Sequence, residues 1–199
     1  MTTAEVEHGL ERLEAFSDGV MAVIITITAF ELKPPVAPTA RAVEQRLPEL
    51  LIYALSFVFI GIYWNNHHHL LRSAHRLSGR VMWSNFLLLF WLSLIPVFTT
   101  WIGTDYKDSL PAALYGCNAL LAAISYYVLV RALIAANPDS PLAEAIARDV
   151  KGVLSIALYA AAVLGAFVTP WIAYGLFAAV ALIWFVPDRR LSRRAEAHS

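Results

Sequence analysis

The stretch Arg12-Leu13-Glu14-Ala15-Phe16-Ser17-Asp18-Gly19 runs without a break into Val20-Met21-Ala22-Val23-Ile24-Ile25-Thr26-Ile27-Thr28-Ala29-Phe30, and its reading decides the fold. Ionisable and hydroxyl groups stand at the mouth of an apolar run long enough for a membrane helix. An acid and an arginine so close to such a run are costly in lipid, so they are expected to face protein or a water-filled path rather than acyl chains.

Composition extends this reading to the whole chain. Of the 199 residues 59% are apolar and only 15% are charged, outside the range of a soluble globular domain. A spanning helix needs roughly 20 predominantly apolar residues, and six stretches approach that length. They run about Leu13 to Leu32, Glu49 to Leu71, Arg80 to Ile102, Pro111 to Ala135, Gly152 to Thr169 and Trp171 to Val186. The last two are separated only by Thr169-Pro170, where a tight hairpin is expected because proline cannot continue a helix. Pro96 lies inside the third span and should kink it, whereas Pro111 and Pro141 suit helix starts or loops. No repeat relates the two halves.

The N-terminus opens with Glu5, Glu7, Glu11 and Glu14, which does not fit the basic region of a cleaved signal peptide, so the first span is expected in the mature protein. Cys117 is the single cysteine. No intramolecular disulfide is possible, and a small packing role suits it better than redox chemistry. With the N-terminus inside, one side collects Arg12, Arg72, Arg76, Arg80, Arg131, Arg148, Lys151, Arg189, Arg190, Arg193 and Arg194, and the other only Lys33, Arg41, Arg46 and Lys107. This asymmetry predicts cytoplasmic N- and C-termini and an even number of spans. The Arg-rich tail after Pro187 reads as a topology anchor that meets lipid headgroups, and no nucleic-acid partner is expected.

Helical positions advance about 100° per residue, so Phe16, Gly19, Val20, Val23, Thr26, Ile27 and Phe30 form one stripe, from which Ser17 and Asp18 point away. If the stripe lines a path, it offers apolar rings at Val23, Ile27 and Phe30 with a hydroxyl layer at Thr26. An ordinary helix-packing seam also accounts for the spacing and is the commoner case for an arbitrary membrane helix, and threonine hydroxyls often bond the carbonyl one turn back. Spacing alone does not decide between these.

A second polar set, Trp64-Asn65-Asn66-His67-His68-His69 and then Arg80, Trp83, Ser84 and Asn85, meets the membrane face at which Asp18 begins. A buried network joining Asp18 and Ser17 to one of the histidines and to Asn85 would offset their desolvation. The consecutive histidines are poor metal ligands as a set, because neighbours on a helix diverge and ligand pairs want a spacing of three or four. His68 and His75 would stand roughly 10 Å apart along a helix axis. No metal and no cofactor are expected. Apart from these histidines there is no constellation of nucleophile, base and orienting group and no Gly-rich phosphate loop, so enzymatic chemistry is not expected.

Arg12-xxx-Phe16-Ser17-Asp18-Gly19, the Ile/Thr-rich helix after it and the ending Phe30-Glu31-Leu32-Lys33-Pro34-Pro35 resemble the signature of the endolysosomal potassium-channel family, transmembrane protein 175, in its bacterial branch. Trp64, His67, His68 and the Arg80-to-Pro96 stretch with Asn85 resemble that family's second and third helices. The match covers about the first half of the chain, and the last three spans agree only in number and length. The resemblance implies a six-helix subunit in a homotetramer, with four first helices around a central pore that conducts potassium without a reentrant filter. The sequence indeed has no Thr-Val-Gly-Tyr-Gly segment. By the same resemblance Val23 is the hydrophobic constriction, Thr26 the potassium-favouring hydroxyl layer, and Ile27 and Phe30 the next apolar layers. Arg12, Phe16, Ser17 and Asp18 would hold the first helix in place. Val23 stands where the family usually has leucine or isoleucine, and Phe30 replaces an aliphatic residue and could be the tightest point instead.

The expected protein is therefore an all-α integral membrane protein, residues 1–199 forming one six-helix unit without internal repeat, in a bacterial inner membrane. Its expected function is a potassium-permeable cation channel with a side-chain gate. Its partners would be three further copies, membrane lipids and permeant potassium. The rivals are a proton-coupled transporter that relays protons through Asp18 and a histidine, and a non-conducting interaction protein.

Overall fold

The computed structural model describes residues 3–138 and 150–185, and all regular structure among them is helical. Pro141, Arg148 and the Arg-rich tail after Pro187 lie outside the described residues. In chain order the helices are α1 (Thr3–Phe30), α2 (Ala40–Glu44), α3 (Leu47–Arg72), α4 (Gly79–Ser93), α5 (Ile95–Thr104), α6 (Ser109–Ala136), α7 (Val150–Ala166) and α8 (Pro170–Phe185).

Among the described residues four rods, His8–Phe30, Leu47–Arg72, Gly79–Thr104 and Ser109–Ala136, are long and apolar enough to cross a bilayer. The helices at the fifth and sixth expected spans are apolar but have only 17 and 16 described residues, about 24–26 Å at 1.5 Å per residue. The first helix starts ten residues ahead of the expected Leu13, because hydropathy marks where the apolar run begins, whereas a helix can continue past it into water.

Proline and glycine set the breaks. Pro96 has no amide to continue the ladder and its ring crowds the preceding turn. The third rod accordingly stops at Ser93, Leu94 N–H falls back on the Trp91 carbonyl at 3.3 Å, and α5 restarts with Pro96 in its first turn. The expected hairpin is present too, since α7 ends at Ala166 and α8 begins at Pro170. A Cβ on Gly165 would stand 2.5 Å from Ile172 Cγ2, so only glycine lets the two arms meet this closely. The five-residue α2 was not expected. It is too short for a periodic signal, and Thr39 caps it by accepting from Ala42 N–H at 3.3 Å.

Packing centres on α6, which touches α4, α5, α7 and α8. One apolar cluster joins α1, α3 and α4 to the second half of α6 through Met21, Ile60, Leu88 and Leu129. The other joins α3, α5, α7 and α8 to its first half through Phe59, Ile102, Tyr159 and Phe177. Small residues line the second cluster, with Ala112, Ala162, Ala166 and Ala173 fully buried. Such residues let membrane helices approach where no hydrophobic gain against lipid is available.

Asn137, at the C-terminal end of α6, fastens the loop between α3 and α4. Its Oδ1 accepts from the backbone N–H groups of His75 and Arg76 at 2.8 and 2.7 Å. Its Nδ2 donates to the carbonyls of Arg76 and Leu133 at 3.2 and 2.9 Å. Asn137→Ala is expected to destabilise the fold by about 1–3 kcal/mol, the cost of stranding buried polar groups. Hydrogen exchange should then accelerate at His75 and Arg76 while the amides of mid-α6 stay protected.

Candidate functional site

The first helix has two faces of different character. Leu10, Leu13, Ser17, Met21, Ile24 and Thr28 recur every three or four residues and are buried in the bundle. Phe16, Gly19, Val23, Thr26, Ile27 and Phe30 lie on the outward face and are exposed in the isolated chain. Val23 is 55% exposed and Phe30 87%, while Met21 is wholly buried. Val20, expected on the stripe, is partly buried at its edge.

The two threonines of this helix differ accordingly. Thr28 Oγ1 donates to the Ile24 carbonyl at 2.7 Å on the buried face. Thr26 Oγ1 donates to the Val23 carbonyl at 2.8 Å on the exposed face. That bond uses the hydroxyl proton and leaves the oxygen with acceptor capacity.

A chain of hydrogen bonds crosses from α1 to α4 to α3 through fully buried side chains. Ser17 Oγ donates to the Leu13 carbonyl at 2.8 Å and accepts from Asn85 Nδ2 at 2.9 Å. Asn85 Oδ1 accepts from His67 Nε2 at 2.7 Å, which assigns the proton of this imidazole to Nε2. Ser17, Asn85 and His67 each have 0% exposure. Of the neighbouring histidines, His67 is therefore the one joined to Ser17 and Asn85.

Asp18 stands outside this chain, against the expectation that it joins Ser17. Its neighbour Ser17 faces inward and takes the Asn85 amide, and the 100° turn to the next position carries Asp18 toward α3 instead. Asp18 Oδ1 is buried without a hydrogen-bond partner among the described residues. The adjacent His68 Nδ1 lies 2.7 Å from Glu14 Oε1 but lacks the alignment of a hydrogen bond. The His68 ring also stacks on Trp64 at 5.9 Å. Among the other expected residues, Arg12 is exposed, Phe16 meets Phe86 edge-on at 5.7 Å, and Trp83 is 76% exposed beside the same Phe86.

Two polar features are absent from the residues that the sequence singled out. Glu14 meets His68, and its place four residues before Asp18 was the available signal. A second buried network links Thr99 Oγ1 to Ser56 Oγ at 2.8 Å and Ser56 to the Tyr115 hydroxyl at 2.9 Å, joining α5, α3 and α6. Isolated Ser, Thr and Tyr in apolar helices give no sequence signal for such a meeting.

These features define an all-helical protein of the multi-span membrane class, with a polar lock inside and an uncharged apolar and hydroxyl stripe presented outward by its first helix. The family model for the endosomal/lysosomal potassium channel TMEM175 matches residues 12–96. A potassium channel of Chryseobacterium sp. (strain P1-3) is 44% identical over 183 residues, covering 92% of this chain and 95% of that protein. Among solved structures, the crystal structure of a lysosomal potassium-selective channel TMEM175 homolog from Chamaesiphon minutus superposes with a TM-score of 0.77 at 26% identity. It covers 90% of this chain and 97% of its own. The endosomal/lysosomal proton channel TMEM175 of Rattus norvegicus is 28% identical over 99 residues, 44% of this chain and 20% of that protein. The chain belongs to the TMEM175 family, a family of ion channels and not of enzymes.

Breaking the buried chain at its centre tests the lock. Asn85→Ala strands both Ser17 and His67 and should cost about 1–3 kcal/mol for each group left unpaired. Adding Ser17→Ala should cost little more. Unfolding in mixed detergent micelles measures all corners of the double-mutant cycle, and strict additivity would remove the bond from the account.

Proposed function

We propose that this chain is one subunit of a potassium-permeable cation channel whose conducting path is lined by the outward faces of four α1 helices. The observation that carries this reading is the placement of Val23, Thr26, Ile27 and Phe30 on one outward face while the buried lock holds the opposite side of α1 inside its own bundle. One chain offers a single such face, too little to enclose a path. The exposed aromatics Trp83, Phe86 and Phe90 beside it supply apolar surface for a neighbouring subunit. The names of the bacterial relatives as potassium channels support the choice of ion.

In this reading the whole chain is one membrane unit, with α7 and α8 as its fifth and sixth crossings. Arg12, Arg72, Arg76, Arg80, Arg131 and Lys151 lie toward one end of the bundle and Lys33, Arg41, Arg46 and Lys107 toward the other. The excess near the first end supports a cytoplasmic N-terminus in a bacterial inner membrane. Lys151 lies over the Trp184 ring at 5.8 Å, a pairing suited to the lipid interface.

Val23, Ile27 and Phe30 gate the path by side-chain bulk, since an apolar constriction conducts only when wide enough to stay wet. Thr26 supplies oxygen in place of part of the hydration shell and favours potassium. Arg12, Phe16 and Trp83 contribute at contacts between subunits, and Ser17, Asn85 and His67 hold the rotation of α1. A second reading, proton passage, is favoured by the buried unpartnered carboxyl oxygen of Asp18 and by the name of the rat relative as a proton channel.

Two predictions test the proposal. Mass measurement of the purified protein in detergent or nanodiscs should give four copies, and a conducting monomer would overturn the assembly. In liposome flux or bilayer recordings, Thr26→Ala should lower the preference for potassium over sodium, and Val23→Ala and Val23→Asn should raise basal current. If Phe30→Ala raises the leak and Val23→Ala does not, the gate lies at Phe30. If none of these changes the current, α1 does not line the path, and a flux driven only by a pH gradient would favour the proton reading.

A further inference from the structure

Two carboxylates and an imidazole meet between α1 and α3, at the end of the bundle that carries Arg72. Glu14 and Asp18 are one turn apart and share a face of α1, and His68 reaches them from α3. One ligating atom from each of the three lies within 4.8 Å of the others, and all three residues are partly buried. A second observation separates this group from a chance cluster of acids. Asp18 Oδ1 is sealed from solvent and has no hydrogen-bond partner among the described residues, and the equally sealed His68 Nδ1 meets only Glu14 Oε1, at 2.7 Å and without the alignment of a hydrogen bond. The adjoining His67 has no exposed surface, and its Nδ1 is likewise buried without a hydrogen-bond partner among the described residues. Asn85 holds the proton of His67 on Nε2, so Nδ1 offers only a lone pair. Two carboxylates and an imidazole nitrogen thus converge, with Asp18 Oδ1 left without a hydrogen-bond donor among the described residues, a costly arrangement that a cation relieves.

We infer that Glu14, Asp18 and His68 form a binding site for a divalent transition-metal ion, with Zn²⁺ the best match to the donor set. Imidazole with carboxylates suits zinc, whereas calcium and magnesium prefer oxygen throughout. Bonds of about 2.0–2.1 Å place tetrahedral ligands about 3.3 Å apart, a separation that side-chain rotation reaches from the present one. Three protein ligands leave the fourth position to water. Binding through Nδ1 moves the remaining proton of His68 to Nε2, which gives up the exposed 3.4 Å contact from Arg72 Nη1, too long to oppose a metal bond. The ion ties α1 to α3 and restrains rotation of the first helix. The site goes beyond the channel reading, because metal binding is measured without any conduction.

The test uses the full chain, purified in detergent, treated with chelator and titrated calorimetrically with Zn²⁺. The expected result is one ion per chain, undisturbed by excess Mg²⁺. Loss of a mere outer partner of a metal site costs about 10–100-fold in affinity, so Glu14→Gln and His68→Gln should each weaken binding at least about tenfold at unchanged elution volume. Glu14→Gln keeps the shape of a partly exposed side chain, and it decides the matter alone if His68→Gln does not fold. Zn²⁺ should also raise the Tm of the parent chain and not that of Glu14→Gln. No binding, equal affinity in the parent and Glu14→Gln chains, or equal competition by Mg²⁺ would overturn the assignment.

Discussion

The Asn85 side chain fixes which way the first helix faces. Its amide is used in both directions at once, as donor to Ser17 on α1 and acceptor from His67 on α3. A helix in an apolar bundle can slide or rotate at small cost, because one methyl packs much like another. A buried hydroxyl cannot, since turning Ser17 by one residue position would move it about 100° from its partner and strand polar groups where water cannot reach them. The register of Val23, Thr26, Ile27 and Phe30 on the outside follows from the register of Ser17 on the inside.

The rest of the bundle supports this lock at a distance. The two apolar clusters share α6, and the break at Leu94 lets α4 and α5 take different neighbours, α4 packing mainly on α6 and α5 leaning on α3. A straight third rod could not serve both clusters. Asn137 holds the loop that joins the C-terminus of α3 to the N-terminus of α4, and so keeps His67 and Asn85 within reach of each other from outside the apolar region.

Much of this was legible in the residues. The apolar runs placed the long helices to within a few residues, apart from the polar start of α1. Pro96 and Pro170 gave the break and the hairpin, because a missing amide has the same effect in any context. The stripe on α1 followed from its 3.6-residue period, and the membership of Ser17, Asn85 and a histidine in one network from the cost of burying each alone. What sequence could not give was the partner of a given polar group once two candidates stood side by side. Ser17 and Asp18, like His67 and His68, differ by one position, and which member of each pair turns inward depends on the rotation of two packed helices. Asp18 was therefore assigned to a network from which the structure excludes it, and Glu14 was overlooked although it lies one turn away.

The bond from Thr26 to the Val23 carbonyl has a consequence for the sign of charge. That hydroxyl proton is committed inside the helix's own backbone, and the neighbours Val23, Ile27 and Phe30 carry no polar hydrogen in their side chains. Whatever approaches this face from outside meets oxygen lone pairs and hydrocarbon, and never a side-chain hydrogen-bond donor. An anion finds nothing there to replace its hydration, whereas a cation finds part of what it gives up. A surface of zero formal charge can thus discriminate against anions, through the direction of one hydrogen bond.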